Sequence, residues 1–107
     1  MTKEIEVYEL MLLLTYRITE SETLEKVDYY RDFLTAQGSQ VMVKNHGTKP
    51  LAYPIKDFET ATYIQIIYLG NGSLVNNLNK EIQRDSEVLR AVTTKVSSGL
   101  DSLTALN

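Results

Sequence analysis

The sequence predicts an α+β domain whose elements run β-α-β-β-α-β. Three observations carry that prediction. A chain of 107 residues with 43% apolar side chains suits one domain with one sizeable core. Four segments alternate apolar and polar residues, or concentrate β-branched and aromatic ones, in the manner of strands. Two further segments repeat apolar residues at helical spacing, each behind a residue suited to cap a helix.

Residues 5–14 form the first strand. Tyr8, Leu10, Leu12 and Leu14 fall on one face, and Val7, Met11 and Leu13 on the other with Glu9. Apolar residues on both faces mark a central strand. Thr19 followed by Glu22 fits a capping box, and the acids suit the positive end of a helix dipole. Leu24, Val27, Tyr30 or Arg31, and Leu34 follow at helical spacing, and Gly38 stands where a left-handed terminator belongs. The opposite face, with Glu22, Glu25, Asp28 and Asp32, reads as a solvated acidic surface.

A second strand starts at Val41–Lys44, breaks or bulges at Asn45-His46-Gly47, and resumes through Leu51-Ala52-Tyr53-Pro54-Ile55. Pro50 and Pro54 each remove a backbone donor, so this is an edge strand or two pieces with a bend. Residues 56–60 read as a polar turn. Residues 61–69, with Tyr63, Ile64, Ile66, Ile67 and Tyr68, are the strongest strand signal. After Gly70-Asn71-Gly72, Ser73 is the expected cap of a helix to about Gln83, with Leu74, Leu78 and Ile82 on one face. Residues 85–87 connect it to a last strand at 88–96. Residues 1–96 thus make a ferredoxin-like split βαβ domain, a four-stranded antiparallel sheet with two helices on one face, and 97–107 a short C-terminal tail. The other sheet face is left to meet solvent or a partner.

Composition excludes several classes of function. With no cysteine there is no disulfide, thiolate zinc site or cysteine nucleophile, and a single histidine argues against a histidine-based metal site. No cofactor is expected. The start, Met-Thr-Lys-Glu-Ile-Glu, is charged and unlike a signal peptide, and the longest apolar run, Leu10 to Leu14, is far short of a membrane span. The expected setting is a reducing, soluble compartment. The net charge of −3 is uneven: residues 1–37 carry four basic and eight acidic side chains, and residues 38–107 seven and six. Lys44, Lys49, Lys56 and His46 share an acid-free stretch from Ser39 to Lys56, which reads as a solvated strand pair with ordinary lysines.

No catalytic constellation is expected. Asp57 and Glu59 lie in a polar turn, and His46 has no evident partner. Gly70-Asn71-Gly72 lacks the further glycine and the lysine of a phosphate-cradling loop. The strand at 61–69 lacks the basic-Gly-aromatic-Gly-aromatic run of an RNA-recognition motif. Arg17 has no neighbouring glycine of the kind an acylphosphatase-like loop uses.

Four blocks in order resemble one family. They are Val7-Tyr8-Glu9-Leu10, then Gly47-Thr48-Lys49-Pro50-Leu51-Ala52-Tyr53-Pro54-Ile55, then Ala61-Thr62-Tyr63-Ile64, then Arg84-Asp85-Ser86-Glu87-Val88-Leu89-Arg90. Together they resemble bacterial-type small-subunit ribosomal protein S-six over residues 6 to 96. His46 stands where many members have an aromatic residue, and at Glu6, Val7, Thr48 to Pro50 and Gln83 the chain carries less positive charge than the family pattern. The resemblance implies a structural protein of a bacterial or plastid ribosome, monomeric outside it. It would bind the central domain of small-subunit ribosomal RNA together with the basic ribosomal protein S-eighteen, which supplies much of the phosphate neutralisation. Carried over by position, Tyr8, Lys95 and, more weakly, Arg90 are the expected RNA contacts. Lys49, Leu51, Tyr53 and Pro54 are the expected partner-facing residues. Proline would also shield the sheet edge from aggregation, with tyrosine anchoring it. The competing reading is a small-molecule-binding regulatory domain of the same fold that dimerises through its sheet.

Overall fold

The structure is a computed structural model that describes residues 5–15 and 17–96. The expected tail at 97–107 lies outside the described residues. The order is β1 (Glu6–Leu14), α1 (Glu20–Ala36), β2 (Val41–Ile55), β3 (Phe58–Gly70), α2 (Gly72–Gln83) and β4 (Val88–Val96). The strands form one antiparallel sheet in the order β2-β3-β1-β4. β1 is central and β2 an edge, as the two-faced apolar pattern and the two prolines predict.

Register decides the faces. Leu10, Leu12 and Leu14 of β1 stand opposite Ile66, Ile64 and Thr62 of β3. They pack with Val27, Tyr30 and Leu34 of α1 and with Leu74, Leu78 and Ile82 of α2. Both helices therefore cover one sheet face, and each fully buried leucine there contributes about 1.5–3 kcal/mol. On the other face a smaller cluster joins Leu13, Ala61 and Leu89, with Leu51, Ile55 and Phe58 packed against it.

Local chemistry explains the ends of α1. The Thr19 hydroxyl accepts from the Glu22 amide at 3.0 Å, and Glu22 Oε1 accepts from the Thr19 amide at 2.8 Å, completing the capping box. Gly38, at φ +88°, supplies the left-handed turn after it. The core stripe departs by one position from the expected one. Leu24 is 55% exposed and Thr23 is buried, because Thr23, Val27, Tyr30 and Leu34 line one face and Leu24 lies about 100° around the helix. The Thr23 hydroxyl is satisfied by donating to the Thr19 carbonyl at 3.0 Å.

Three further details sharpen the sequence reading, two of them as corrections. Asn71, not Ser73, caps α2: its side-chain oxygen accepts from the Leu74 amide at 3.0 Å. Of the two forms expected for β2, it takes the single edge strand, bulged between Asn45 and Gly47 where Gly47 takes φ +80°. The polar turn expected over 56–60 shrinks to Lys56-Asp57, at φ 49° and 69°, a two-residue turn whose positive φ values match the twist of a hairpin. β3 accordingly begins at Phe58.

Candidate functional site

The expected contact residues fall into two places at opposite ends of β4. At its C-terminal end, Lys95 stands opposite Tyr8 of β1, which stands opposite Tyr68 of β3. The Tyr8 and Tyr68 rings stack with centroids 5.7 Å apart and planes 28° apart. Tyr8 is partly buried against the helix-side core. The Lys95 side chain is 59% exposed, and its Nζ lies 3.7 Å from Glu6 Oε1. An exposed pair of that length is worth about 0–1 kcal/mol, so the ammonium is free to exchange Glu6 for another anion. Behind the stack the Tyr68 hydroxyl is buried with no hydrogen-bond partner, and burial pushes its pKa up to about 12, with Tyr8 adding to the shift.

Arg90 lies apart from that cluster. It lies five positions from Lys95, an odd step, so the two point to opposite faces of β4, roughly 17 Å apart along the strand. Its Nη1 donates to the Tyr53 hydroxyl at 2.9 Å, and its guanidinium carbon sits 5.6 Å from the Tyr53 ring centroid. The structure thus brings Tyr8 and Lys95 together and joins Arg90 to the hairpin set. Of that set, Tyr53 is 57% exposed, Lys49 and Pro54 are exposed, and Leu51 is half-buried in the smaller cluster. Lys44, Lys49 and Lys56 are all solvent-exposed, as the reading of that stretch holds.

The fourth block of the sequence resemblance has a structural role. Asp85, between α2 and β4, accepts from Lys26 Nζ at 2.6 Å, from the Tyr30 hydroxyl at 2.8 Å and from the Glu87 amide at 3.0 Å. Lys26 also meets Glu87 Oε1 at 3.0 Å, and the Glu87 carbonyl accepts from the Thr15 amide at 3.0 Å. Burial pushes the Asp85 carboxyl up, but the bonds from Lys26, Tyr30 and Glu87 outweigh it and hold the pKa below its usual value. Lys26 is held above its usual value, the bonds to Asp85 and Glu87 outweighing desolvation. Tyr30 is raised by burial and by the carboxylate beside it. The block therefore docks α1 onto the entry of β4.

One set of contacts was not legible locally. His46 Nε2 lies 2.8 Å from Gln65 Oε1, and Gln65 Nε2 donates to Glu9 Oε2 at 2.9 Å. This polar line crosses β2, β3 and β1 on the face away from the helices, so the expectation that His46 lacks a partner is corrected. Among the described residues no cluster of three or more His, Cys, Asp or Glu side chains could hold a metal ion, and no helix is long and apolar enough to cross a membrane.

Comparison with known proteins agrees with this fold. A family model described as Ribosomal protein S6 matches residues 7–95. The small ribosomal subunit protein bS6c of Pyropia yezoensis is 32% identical over 93 residues, which cover 86% of this chain and 85% of that protein. The bS6 protein of Rippkaea orientalis is 35% identical over 101 residues, 94% of this chain and 82% of that one. The solved structure of 30S ribosomal protein S6 from Thermotoga maritima superposes with a TM-score of 0.83, covering 96% of this chain and 95% of the other at 20% identity, and so shares the fold. These likenesses set the chain with ribosomal proteins of bacteria and plastids rather than with regulatory ligand-binding domains. By a match over most of its length, the chain belongs to the ribosomal protein S6 family, a family of structural components of the small ribosomal subunit and not of enzymes.

Proposed function

We propose that this chain binds the central domain of small-subunit ribosomal RNA jointly with the basic ribosomal protein S-eighteen, and that it is a monomer until it meets them. The observation that carries the reading is the separation of two exposed patches on a chain of net charge −3. One pairs an aromatic ring with an exchangeable ammonium, Tyr8 and Lys95. The other is an uncharged hairpin surface, Ala52, Tyr53 and Pro54, beside Lys49 and Leu51. A chain with so little positive charge gains little affinity from counterion release by itself, so a second, protein-mediated contact completes the binding. In this reading Tyr8 and Lys95 face RNA, and Lys49, Leu51, Tyr53 and Pro54 face the partner. Arg90, already bonded to Tyr53, goes with the second group. Residues 1–96 act as the domain, with 97–107 as an appended tail.

The test is a salt titration of binding to the central-domain RNA with and without the partner. Tight binding only with the partner present supports the reading. Lys95→Ala should weaken binding across RNA sequences and reduce the slope of log K against log salt by about one. An unchanged slope removes Lys95 from the RNA side, and absence of binding with the partner present overturns the joint-binding reading.

A further inference from the structure

We propose that Arg90 is a positioning residue, which ties the tip of the β2–β3 hairpin to the far edge of the sheet and presents Ala52, Tyr53 and Pro54 preformed to a basic partner protein. This rests on the joint-binding reading above. Its starting point is a weakness in the backbone. β1 pairs with β3 only as far as Leu14 opposite Thr62, so among the described residues 58–61 of β3 have β2 as their sole strand neighbour. A two-stranded ribbon of this kind is marginal in water. The ladder is further interrupted at the tip. Between the pairs Pro50–Thr60 and Ile55–Phe58, four residues of β2 (Leu51 to Pro54) oppose one of β3 (Glu59). Pro50 and Pro54 contribute no amide donors. Side chains must therefore hold what the backbone does not.

They do so from two directions. Leu51, Ile55 and Phe58 pack against Leu13, Ala61 and Leu89, and Arg17 lies over the Phe58 ring at 4.9 Å. Arg90 arrives from β4, at the opposite edge of a sheet ordered β2-β3-β1-β4, and both bonds the Tyr53 hydroxyl and covers its ring. The bulged segment is what projects: Ala52 and Pro54 are exposed and Tyr53 is 57% exposed. Ala52, Tyr53 and Pro54 carry no charge of their own, and the Arg90 guanidinium that could meet a phosphate is engaged by the phenol, which fits protein rather than phosphate. The chain's net charge of −3 suits a basic partner. A hairpin ordered beforehand avoids the entropy of ordering on contact.

The experiment combines amide hydrogen exchange of the free full-length chain with partner and RNA titrations. In Arg90→Ala, exchange at residues 51–59 should speed up about tenfold, as expected for one hydrogen bond and one cation–π contact, while amides of β1 stay protected. Partner affinity should fall about tenfold, and the RNA salt slope should not change. Arg90→Ala added to Tyr53→Ala should cost nothing more, because Arg90 acts through Tyr53. Tyr53→Phe, which keeps the ring and removes only the acceptor oxygen, provides a milder variant, with a loss of about threefold. Unchanged tip exchange in both Arg90→Ala and Tyr53→Phe overturns the tie. A salt slope reduced by about one shows Arg90 on an RNA phosphate instead. If the unmodified chain fails to bind the partner, the joint-binding reading falls and the partner half of the proposal falls with it, while the exchange data still decide the tie.

Discussion

Replacing Asp85 by alanine should destabilise the fold by about 3 kcal/mol. The side chain is 15% exposed and accepts three hydrogen bonds, one from an ammonium that is itself 14% exposed. Hydrogen bonds to charged groups are worth about 1.5–3 kcal/mol each, and a buried donor left unpaired costs about 1–3 kcal/mol. The Tyr30 hydroxyl, on a residue 1% exposed, would lose its acceptor. Against this, Lys26 keeps Glu87 at 3.0 Å, whose side chain is 42% exposed, so its charge is not stranded. The sum of one full loss and two partial ones is the figure above. With a urea m-value of about 1–2 kcal/mol/M, the unfolding midpoint at pH 7 should drop by roughly 1.5–3 M. The pH dependence supplies a second check. The Asp85 pKa is lowered in the folded chain, so its contribution is complete above the unfolded value near 3.9 and is lost as pH falls through the folded value. The gap between parent and variant should therefore be constant from about pH 6 to 8 and close below about pH 4. Lys26 and Tyr30 are raised, so their contributions are present below about pH 10 and decline as pH rises through the folded values. A loss under 1 kcal/mol at pH 7, or a gap that stays open at low pH, would refute the docking role given to Asp85.

Other substitutions test other parts of the structure. Tyr68→Phe should stabilise the chain by about 1 kcal/mol in the same urea assay, because it deletes a buried hydroxyl with no partner; destabilisation would mean that the hydroxyl is paired. Thr19→Ala should cost about 1 kcal/mol by removing half of the capping box; an unchanged midpoint would show α1 to be held by packing alone. Replacing Lys56-Asp57 by Asn-Gly should raise stability by roughly 0.5–1 kcal/mol, since both positions take positive φ, and a loss would mean that these side chains hold the turn.

The elements that sequence reading anticipated are those whose determinants lie within a few residues. The capping box joins Thr19 to Glu22, Gly38 ends the helix that they begin, and alternating leucines on both sides of β1 state that the strand is central. Where two local solutions compete, the reading was a residue or two off. Asn71 and Ser73 both suit a cap, and Thr23 and Leu24 are adjacent on a helix whose face is chosen by what it packs on. The turn at Lys56-Asp57 was expected, but longer, because neither residue is glycine, and only the pairing of Ile55 with Phe58 forces the positive φ values.

The chain's own order of apolar residues, caps and prolines was enough to settle the element sequence, the central and edge strands and the family blocks, since each depends on neighbours within one turn or one strand. The long-range side-chain contacts needed the assembled tertiary structure. Lys26 meets Asp85 across 59 positions, Arg90 meets Tyr53 across 37, and Glu9 meets Gln65 across 56. No periodicity encodes such pairs, because they exist only when strand register and the packing of helices and hairpin bring distant side chains together. That register separated Arg90 from Lys95, which lie five positions apart on one strand, and gave them to different surfaces.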